Sequence, residues 1–326
     1  MKKLALTLLI PVVLCSSCGN DKKDVYLVST ITEHCGGYDT VESFQYDDLN
    51  RLIKDKNEII NFDNREVSEI SYYYTTYEYF DNNEVKKECD YNLIGEEDVL
   101  VQYSEYTLVN NLLSKRENFQ KQNAGNLILR NKSEYTYDSL GRLTKETLFN
   151  TKDSTPDSEI NLFNSWIYEY TYVNNSDLLS NEIVSNYEED GSLESVNKTT
   201  YTYQNNKLVQ EDDYYGVDLD HLKYDEKKVY NYSKNNLISV VKYDVEDNVF
   251  IKTKQKDYTY DSKNRNTKIV ENQYDTDSGE VSYVVTTMFE YNNNDCMTRK
   301  SQTDFDVASS TSYSTEDQLY TYIKAK

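Results

Sequence analysis

The chain has 326 residues and a net charge of −22, and setting aside a leader that carries Lys2 and Lys3 leaves about −24. A surface this acidic repels phosphate backbones and excludes nucleic acid as a partner. Hydrophobic residues make up only 37% of the chain, near the regime of disordered sequences, yet 33 tyrosines recur at regular intervals and the 2 prolines and 9 glycines leave no flexible interdomain linker, so one elongated folded domain is expected.

Residues 1–17 read as an export signal: Lys2 and Lys3, an apolar run from Leu4 to Leu14, then Ser16 and Ser17 ahead of Cys18. The run is about half the ~20 residues of a membrane-spanning helix, and none like it follows. The small residues before Cys18 resemble the lipobox of bacterial lipoproteins, with Cys15 standing where leucine is usual. That resemblance implies cleavage before Cys18, lipidation of Cys18, and a membrane tether in the cell envelope, at the periplasmic or the outer face of the outer membrane. Residues 18–24 then form a short polar tether and residues 25–326 the folded domain.

From Phe44 onward a unit recurs: two aromatics one residue apart, a polar turn of about five residues, and an apolar residue, usually leucine. It runs from Phe44 and Tyr46 to Leu52, Tyr77 and Tyr79 to Val85, Tyr135 and Tyr137 to Leu143, and Tyr170 and Tyr172 to Leu178. It returns at Tyr201 and Tyr203 to Leu208, Tyr230 and Tyr232 to Leu237, Tyr258 and Tyr260, and Phe289 and Tyr291 to Met297. A degenerate copy from Ser104 through Tyr106 to Leu112 and a half copy at Tyr320 and Tyr322 bring the array to about ten units.

Alternate residues of a strand share a face, so the paired aromatics point the same way. The turns carry Asn50, Asn83, Asn110, Gly141 and Asn264, residue types that accept positive φ. On the return segment the apolar residue is often followed six positions later by another, as Leu143 by Phe149 and Leu208 by Tyr214. The even spacing predicts a strand with both on one face. The expected fold is all-β, an antiparallel β-meander of about ten tandem hairpins in an elongated, twisted or spiralling sheet. The segments 153–159, 188–191, 211–219 and 275–280 differ most between units and read either as a binding edge or as tolerated surface loops.

Tyr135-Thr136-Tyr137-Asp138-Ser139-Leu140-Gly141-Arg142-Leu143 resembles the YD repeat of the Rhs type, with Phe44 to Leu52 as the next best copy. Elsewhere Asn often replaces the glycine, and Asn266 occupies a leucine position. The resemblance implies a continuous β-sheet and an association with carbohydrate or surface partners; the chain has no room for a separate toxin module.

Residues that carry chemistry are sparse. His34 and His221 are the two histidines and read as surface imidazoles, so neither a histidine triad nor a metal site is expected, and no cofactor is implied. Cys35, Cys89 and Cys296 form an odd set, compatible with a Cys35 to Cys89 bridge or with buried free thiols. Asp275 to Glu280 imitates the first half of a calcium loop, but Val285 stands where the chelating glutamate belongs, which makes it a hairpin turn. Glu188, Glu189 and the run Glu211, Asp212, Asp213 read as solvated loop charges. Most tyrosines, and the single Trp166, are assigned to cross-strand ladders before any sugar is invoked. The function expected is a non-enzymatic, envelope-anchored binding or scaffold module for a glycan or protein. The alternatives are a hydrolase of envelope polysaccharide, which needs two carboxylates across one cleft, and a structural coat or spacer.

Overall fold

A computed structural model describes residues 25–35, 38–63, 66–94, 97–121, 126–151, 162–247 and 249–325. The leader, Cys18 and the tether lie outside the described residues. Twenty strands follow one another: β1 (Tyr26–Cys35), β2 (Tyr38–Tyr46), β3 (Leu52–Asp63), β4 (Glu66–Tyr79), β5 (Val85–Ile94), β6 (Glu97–Val109) and β7 (Leu112–Lys121). Next come β8 (Leu127–Tyr137), β9 (Leu143–Thr151), β10 (Leu162–Tyr172), β11 (Leu179–Tyr187), β12 (Leu193–Gln204), β13 (Lys207–Gly216) and β14 (Lys223–Ser233). The last are β15 (Asn236–Glu246), β16 (Val249–Tyr260), β17 (Asn266–Tyr274), β18 (Val281–Tyr291), β19 (Met297–Asp306) and β20 (Thr311–Lys324), with one 3-10 turn at Leu219–His221.

Two compact units are distinguished. The first, residues 102–255 and 274–280, carries an unbroken antiparallel ladder from β6 to β15. The second, residues 25–101, 256–273 and 281–325, carries the order β5, β4, β3, β2, β1, β20, β19, β18. All-β antiparallel architecture is therefore as expected. The open ribbon or spiral is corrected. In an open meander the first and last strands are free edges, whereas β1 bonds β2 on one side and β20 on the other, with Tyr26 opposite Lys324 and Ile31 opposite Tyr320. The first and last strands pair with each other, which removes two edges that would otherwise template aggregation.

Several hairpins are closed by the same local device. The N–H of Asp138 donates to the carbonyl of Arg142 (2.9 Å), and the N–H of Gly141 to the carbonyl of Asp138 (3.0 Å). Asp47 with Asn50 and Arg51, and Asp261 with Asn264 and Arg265, repeat the pattern. It is a type I turn followed by a left-handed residue, with φ +76° at Gly141, 60° at Asn50 and 62° at Asn264. Asn83 and Asn110 are left-handed too, as their turn positions require. The Asp138 carboxylate accepts from the N–H groups of Leu140 (2.8 Å) and Arg142 (3.0 Å) and from Arg142 Nε (2.7 Å). The Arg142 backbone amide, and after it the guanidinium, hold the Asp138 carboxyl below the usual carboxylate range.

A β-bulge follows. The register shifts between Thr136 and Tyr137 so that Tyr137 pairs with Leu143, and equivalent shifts precede Tyr46, Tyr79, Tyr203, Tyr232 and Tyr291. The expectation that Leu143 and Phe149 share a face is thereby corrected. The extra residue at the start of β9 turns Leu143 to the side of Tyr137, where it is buried, while Phe149 lies opposite Lys132 on the other side. Leu208 and Tyr214 are separated in the same way.

Repeats are bolted together through the second tyrosine. The hydroxyl of Tyr172 donates to the carbonyl of Leu143 in the preceding unit (2.7 Å); Tyr46 does so to Val28 (2.8 Å), Tyr137 to Leu113 (2.8 Å) and Tyr291 to Asn266 (2.7 Å). The turn arginine completes the link by lying over that ring, Arg142 at 4.5 Å from the Tyr172 centroid and Arg51 at 4.7 Å from that of Tyr79. A small apolar core in the second unit gathers Val28, Phe44 and Leu52, with Ile31, Tyr77 and Tyr320 packed against them.

Candidate binding site

Residues directly opposite in the ladder share a face, so the pairings define rows across the first unit. On the face of the repeat aromatics one row reads Ser104, Asn118, Asn131, Asn150, Phe163. The next reads Tyr106, Arg116, Ser133, Leu148, Trp166. Further along, Tyr135, Glu146 and Tyr168 form a third.

Most of this face satisfies itself. The first aromatic of a unit commonly faces an acid on the return strand: Phe44 and Asp55, Tyr77 and Glu88, Tyr135 and Glu146, Tyr170 and Glu182, Tyr201 and Glu211. Burial, and after it the Glu146 carboxylate, pushes the Tyr135 hydroxyl up to about 12. Tyr201 donates to Glu182 Oε2 (3.0 Å) and Thr199 to Asp213 Oδ1 (2.6 Å). Lys228 sits among Glu226 (3.0 Å), Glu211 (3.4 Å) and Asp213 (3.6 Å). Glu211, Asp212 and Asp213 are thus strand residues of β13, not solvated loop charges, and Asp212 is buried, accepting from Gln210 and from the hydroxyl of Tyr224. Strand alternation turns Asp212 away from its two neighbours.

At the edge where β7, β9 and β11 end, the face opens into a cavity of about 600 Å³ lined by Gln120, Arg130, Asn131, Asn150, Phe163 and Tyr187. The volume lies in the range of small-molecule sites. Phe163 and Tyr187 supply ring surfaces. Among the described residues no side-chain partner engages Arg130, Asn131 or Asn150. Thr151 spends its hydroxyl on the carbonyls of Leu129 (3.1 Å) and Arg130 (2.8 Å). Arg130 is the residue left unopposed where the register slips between Asn118 and Phe119, and a bulge of this kind re-aims a side chain. Glu188 and Glu189 complete the rim from a turn in which Gly191 adopts φ +85°.

The sequence pointed to segment 188–191 as part of a variable edge, and Glu188 and Glu189 do line the cavity. Segment 153–159 lies outside the described residues. Gln120, Asn131 and Asn150 were not singled out in the sequence, because isolated amides at strand ends carry no spacing signal. Trp166 lies one row from the cavity and stacks on Tyr168 at 6.5 Å.

The other flagged residues take structural places. His34 and His221 are exposed and bonded to Asp39 (2.9 Å) and Asp218 (2.7 Å). Asp275 caps its own turn by accepting from the N–H and hydroxyl of Ser278 (both 2.8 Å), as a hairpin turn does. Cys89 and Cys296 are buried, and the side chain of Cys35 lies outside the described residues.

No family model and no curated protein matches the chain. Among solved structures, a porin-like protein from Bacteroides uniformis is similar at 12% identity over 91% of this chain and 98% of that one, with a TM-score of 0.34. A TcdB2-TccC3-TEV protein gives 11% identity over 91% of this chain and 21% of that one, TM-score 0.21. A protein with unknown function from Bacteroides fragilis gives 9% identity over 58% and 91%, TM-score 0.17. Scores of this size establish no common fold.

Proposed function

We propose that the chain is a non-enzymatic, envelope-anchored carbohydrate-binding protein that uses the cavity at the end of β7 to β11. The observation that carries this reading is the set of half-buried polar groups without side-chain partners, Arg130, Asn131 and Asn150, beside the rings of Phe163 and Tyr187. Amides that both donate and accept, next to flat apolar faces, match the alternating hydroxyls and C–H faces of a pyranose. The tether is supported by the lipobox-like Ser16, Ser17 and Cys18 alone.

Hydrolysis is disfavoured because the two carboxylates at the cavity, Glu188 and Glu189, are successive residues of one turn and do not face each other across a cleft. A lipid-embedded channel is disfavoured by the strands themselves. In β14 one alternation carries Lys223, Asp225 and Lys227 and the other Glu226 and Lys228, so neither face of that strand offers the apolar band a membrane barrel needs. The test is a glycan array probed with the solubilised protein and with Phe163→Ala and Asn150→Ala. Retention of a glycan by the wild type and its loss in both variants is expected; no retained glycan would end the proposal.

A further inference from the structure

Strand β4 runs on past one of its neighbours. It starts at Glu66 and is paired with β3 from that residue onward, whereas its pairing with β5 starts only at Tyr73, opposite Asn92. Strand β5 ends two residues later at Ile94, level with Ser71. Among the described pairings, Glu66 to Ile70 therefore keep one open edge, roughly 16 Å of backbone at ~3.3 Å per residue. Such an edge is a row of N–H and C=O groups that another strand can pair with, and native sheets commonly blunt it with lysine or proline. Glu66-Val67-Ser68-Glu69-Ile70 contains neither.

The two faces of this hairpin differ in kind. Phe62 stands opposite Val67 and Ile60 opposite Ile70, so these four apolar side chains share one face. The extra residue Ser68, where the register slips between Asn61 and Phe62, is what brings Val67 and Ile70 to the same side although they are three positions apart. Val67 is 56% exposed, Ile70 51% and Phe62 36%. Glu69, opposite Asn61, takes the other face together with Glu66. Both glutamates are exposed, and neither forms an ion pair among the described residues.

We infer that the open edge of β4 receives an extended segment of a partner protein, apolar at alternate residues and basic at those between. The backbone ladder supplies affinity, while side chains on alternate faces supply specificity: Phe62, Val67 and Ile70 meet the apolar ones, and Glu66 and Glu69 the basic ones. A second copy of the chain is the poorer occupant, because pairing two β4 edges brings the glutamates of one beside those of the other in a chain of net charge −22. The edge belongs to the second unit and is independent of the carbohydrate-binding reading.

The test is fluorescence anisotropy of short labelled peptides titrated with the detergent-solubilised full chain at 0.15 M salt. The peptides alternate lysine with valine, glutamate with valine, and lysine with proline, the last keeping the charge while removing the ladder and the apolar side chains. The lysine–valine peptide is expected to bind at least about tenfold more tightly than either of the others. The double variants Glu66→Gln with Glu69→Gln, and Val67→Thr with Ile70→Thr, are each expected to lose about tenfold for it, and thermal melts show that these exposed changes leave the fold intact. Equal binding of the lysine–valine and lysine–proline peptides would mean attraction to an acidic chain at large and overturns the inference. Binding that ignores both double variants does the same, and a dimer in sedimentation at the titrated concentrations overturns it in favour of a second copy.

Discussion

Glu42 gives the sharpest test of how the aromatic face is built. It lies on β2 opposite Ile31 and Asn57, diagonal to Asp55, with Tyr320 beyond Ile31. Burial, and after it the Asp55 carboxylate, raises the Glu42 carboxyl from 4.5 to about 7, and burial raises Asp55 to about 6. A carboxyl whose folded pKa lies above its unfolded value binds its proton more tightly in the native state. Its stabilising contribution is therefore complete below about pH 4.5 and is lost as the pH rises through 7. A rise of this size is worth at most about 3.5 kcal/mol at ~1.4 kcal/mol per unit, and solvent screening of a half-buried group cuts that to roughly 1–2 kcal/mol. Glu42→Gln imitates the protonated form. At pH 5 it should melt within about 1 °C of the wild type, and at pH 8 it should melt about 2–6 °C higher. The assay is thermal unfolding at pH 5, 6, 7 and 8. A melting difference that stays constant over that range would refute the placement of Glu42 in a desolvated, acid-paired position.

The remaining predictions concern the hairpin and the anchor. Tyr172→Phe, which deletes the 2.7 Å bond to the Leu143 carbonyl, should cost about 1 kcal/mol in denaturant unfolding, and an unchanged midpoint would show that the bolt between repeats is idle. Arg142→Lys keeps the charge but loses the Nε bond to Asp138, the bond to the Asn174 carbonyl (3.0 Å) and the stack on Tyr172; about 1–2 kcal/mol is expected in the same assay, and equality with the wild type would mean that charge alone suffices. Gly141→Val, at φ +76°, should cost about 1–3 kcal/mol, whereas Gly141→Asn should lie within about 0.5 kcal/mol because Asn50 and Asn264 already serve at the equivalent positions. Cys18→Ala should abolish incorporation of labelled fatty acid and move the protein to the soluble fraction; persistence in the membrane fraction would refute lipid anchoring.

The hairpins were legible because their determinants are local. A left-handed position needs Asn or Gly, and a turn closed by its own side chain needs Asp at its first position, so Asn50, Gly141 and Asn264 declared themselves. The bulge before Tyr137 was not legible, since a register slip is a property of two strands. Missing it put Leu143 and Phe149 on one face. The acids facing the aromatics were partly legible: Asp55, Glu88 and Glu146 each follow their aromatic by eleven residues, a spacing that makes sense once the intervening turn is known. Closure of the sheet was beyond any window, because Tyr26 and Lys324 stand at opposite ends of the chain. The cavity was illegible for the same reason. Gln120, Asn131, Asn150, Phe163 and Tyr187 come from five different strands, and no two are held at a repeating interval.

Where a repeat protein departs from its own rule is where binding is most economically placed. A polar group on the aromatic face costs free energy unless another group answers it, and the repeat supplies the answer automatically, as Glu182 does for Tyr201 and Glu316 for Lys300. Such satisfied positions leave nothing for a ligand to gain. The degenerate unit at β6 and β7 withholds the acid opposite Tyr106, and the edge beside it leaves Arg130, Asn131 and Asn150 without side-chain partners. A ligand that answers these groups gains their hydrogen bonds and also relieves a cost the empty site already bears, so affinity comes from few contacts. The same logic explains the prominence of the tyrosines. Their rings and hydroxyls are consumed in bolting one unit to the next, which leaves the amides and Arg130 at the cavity for the proposed ligand.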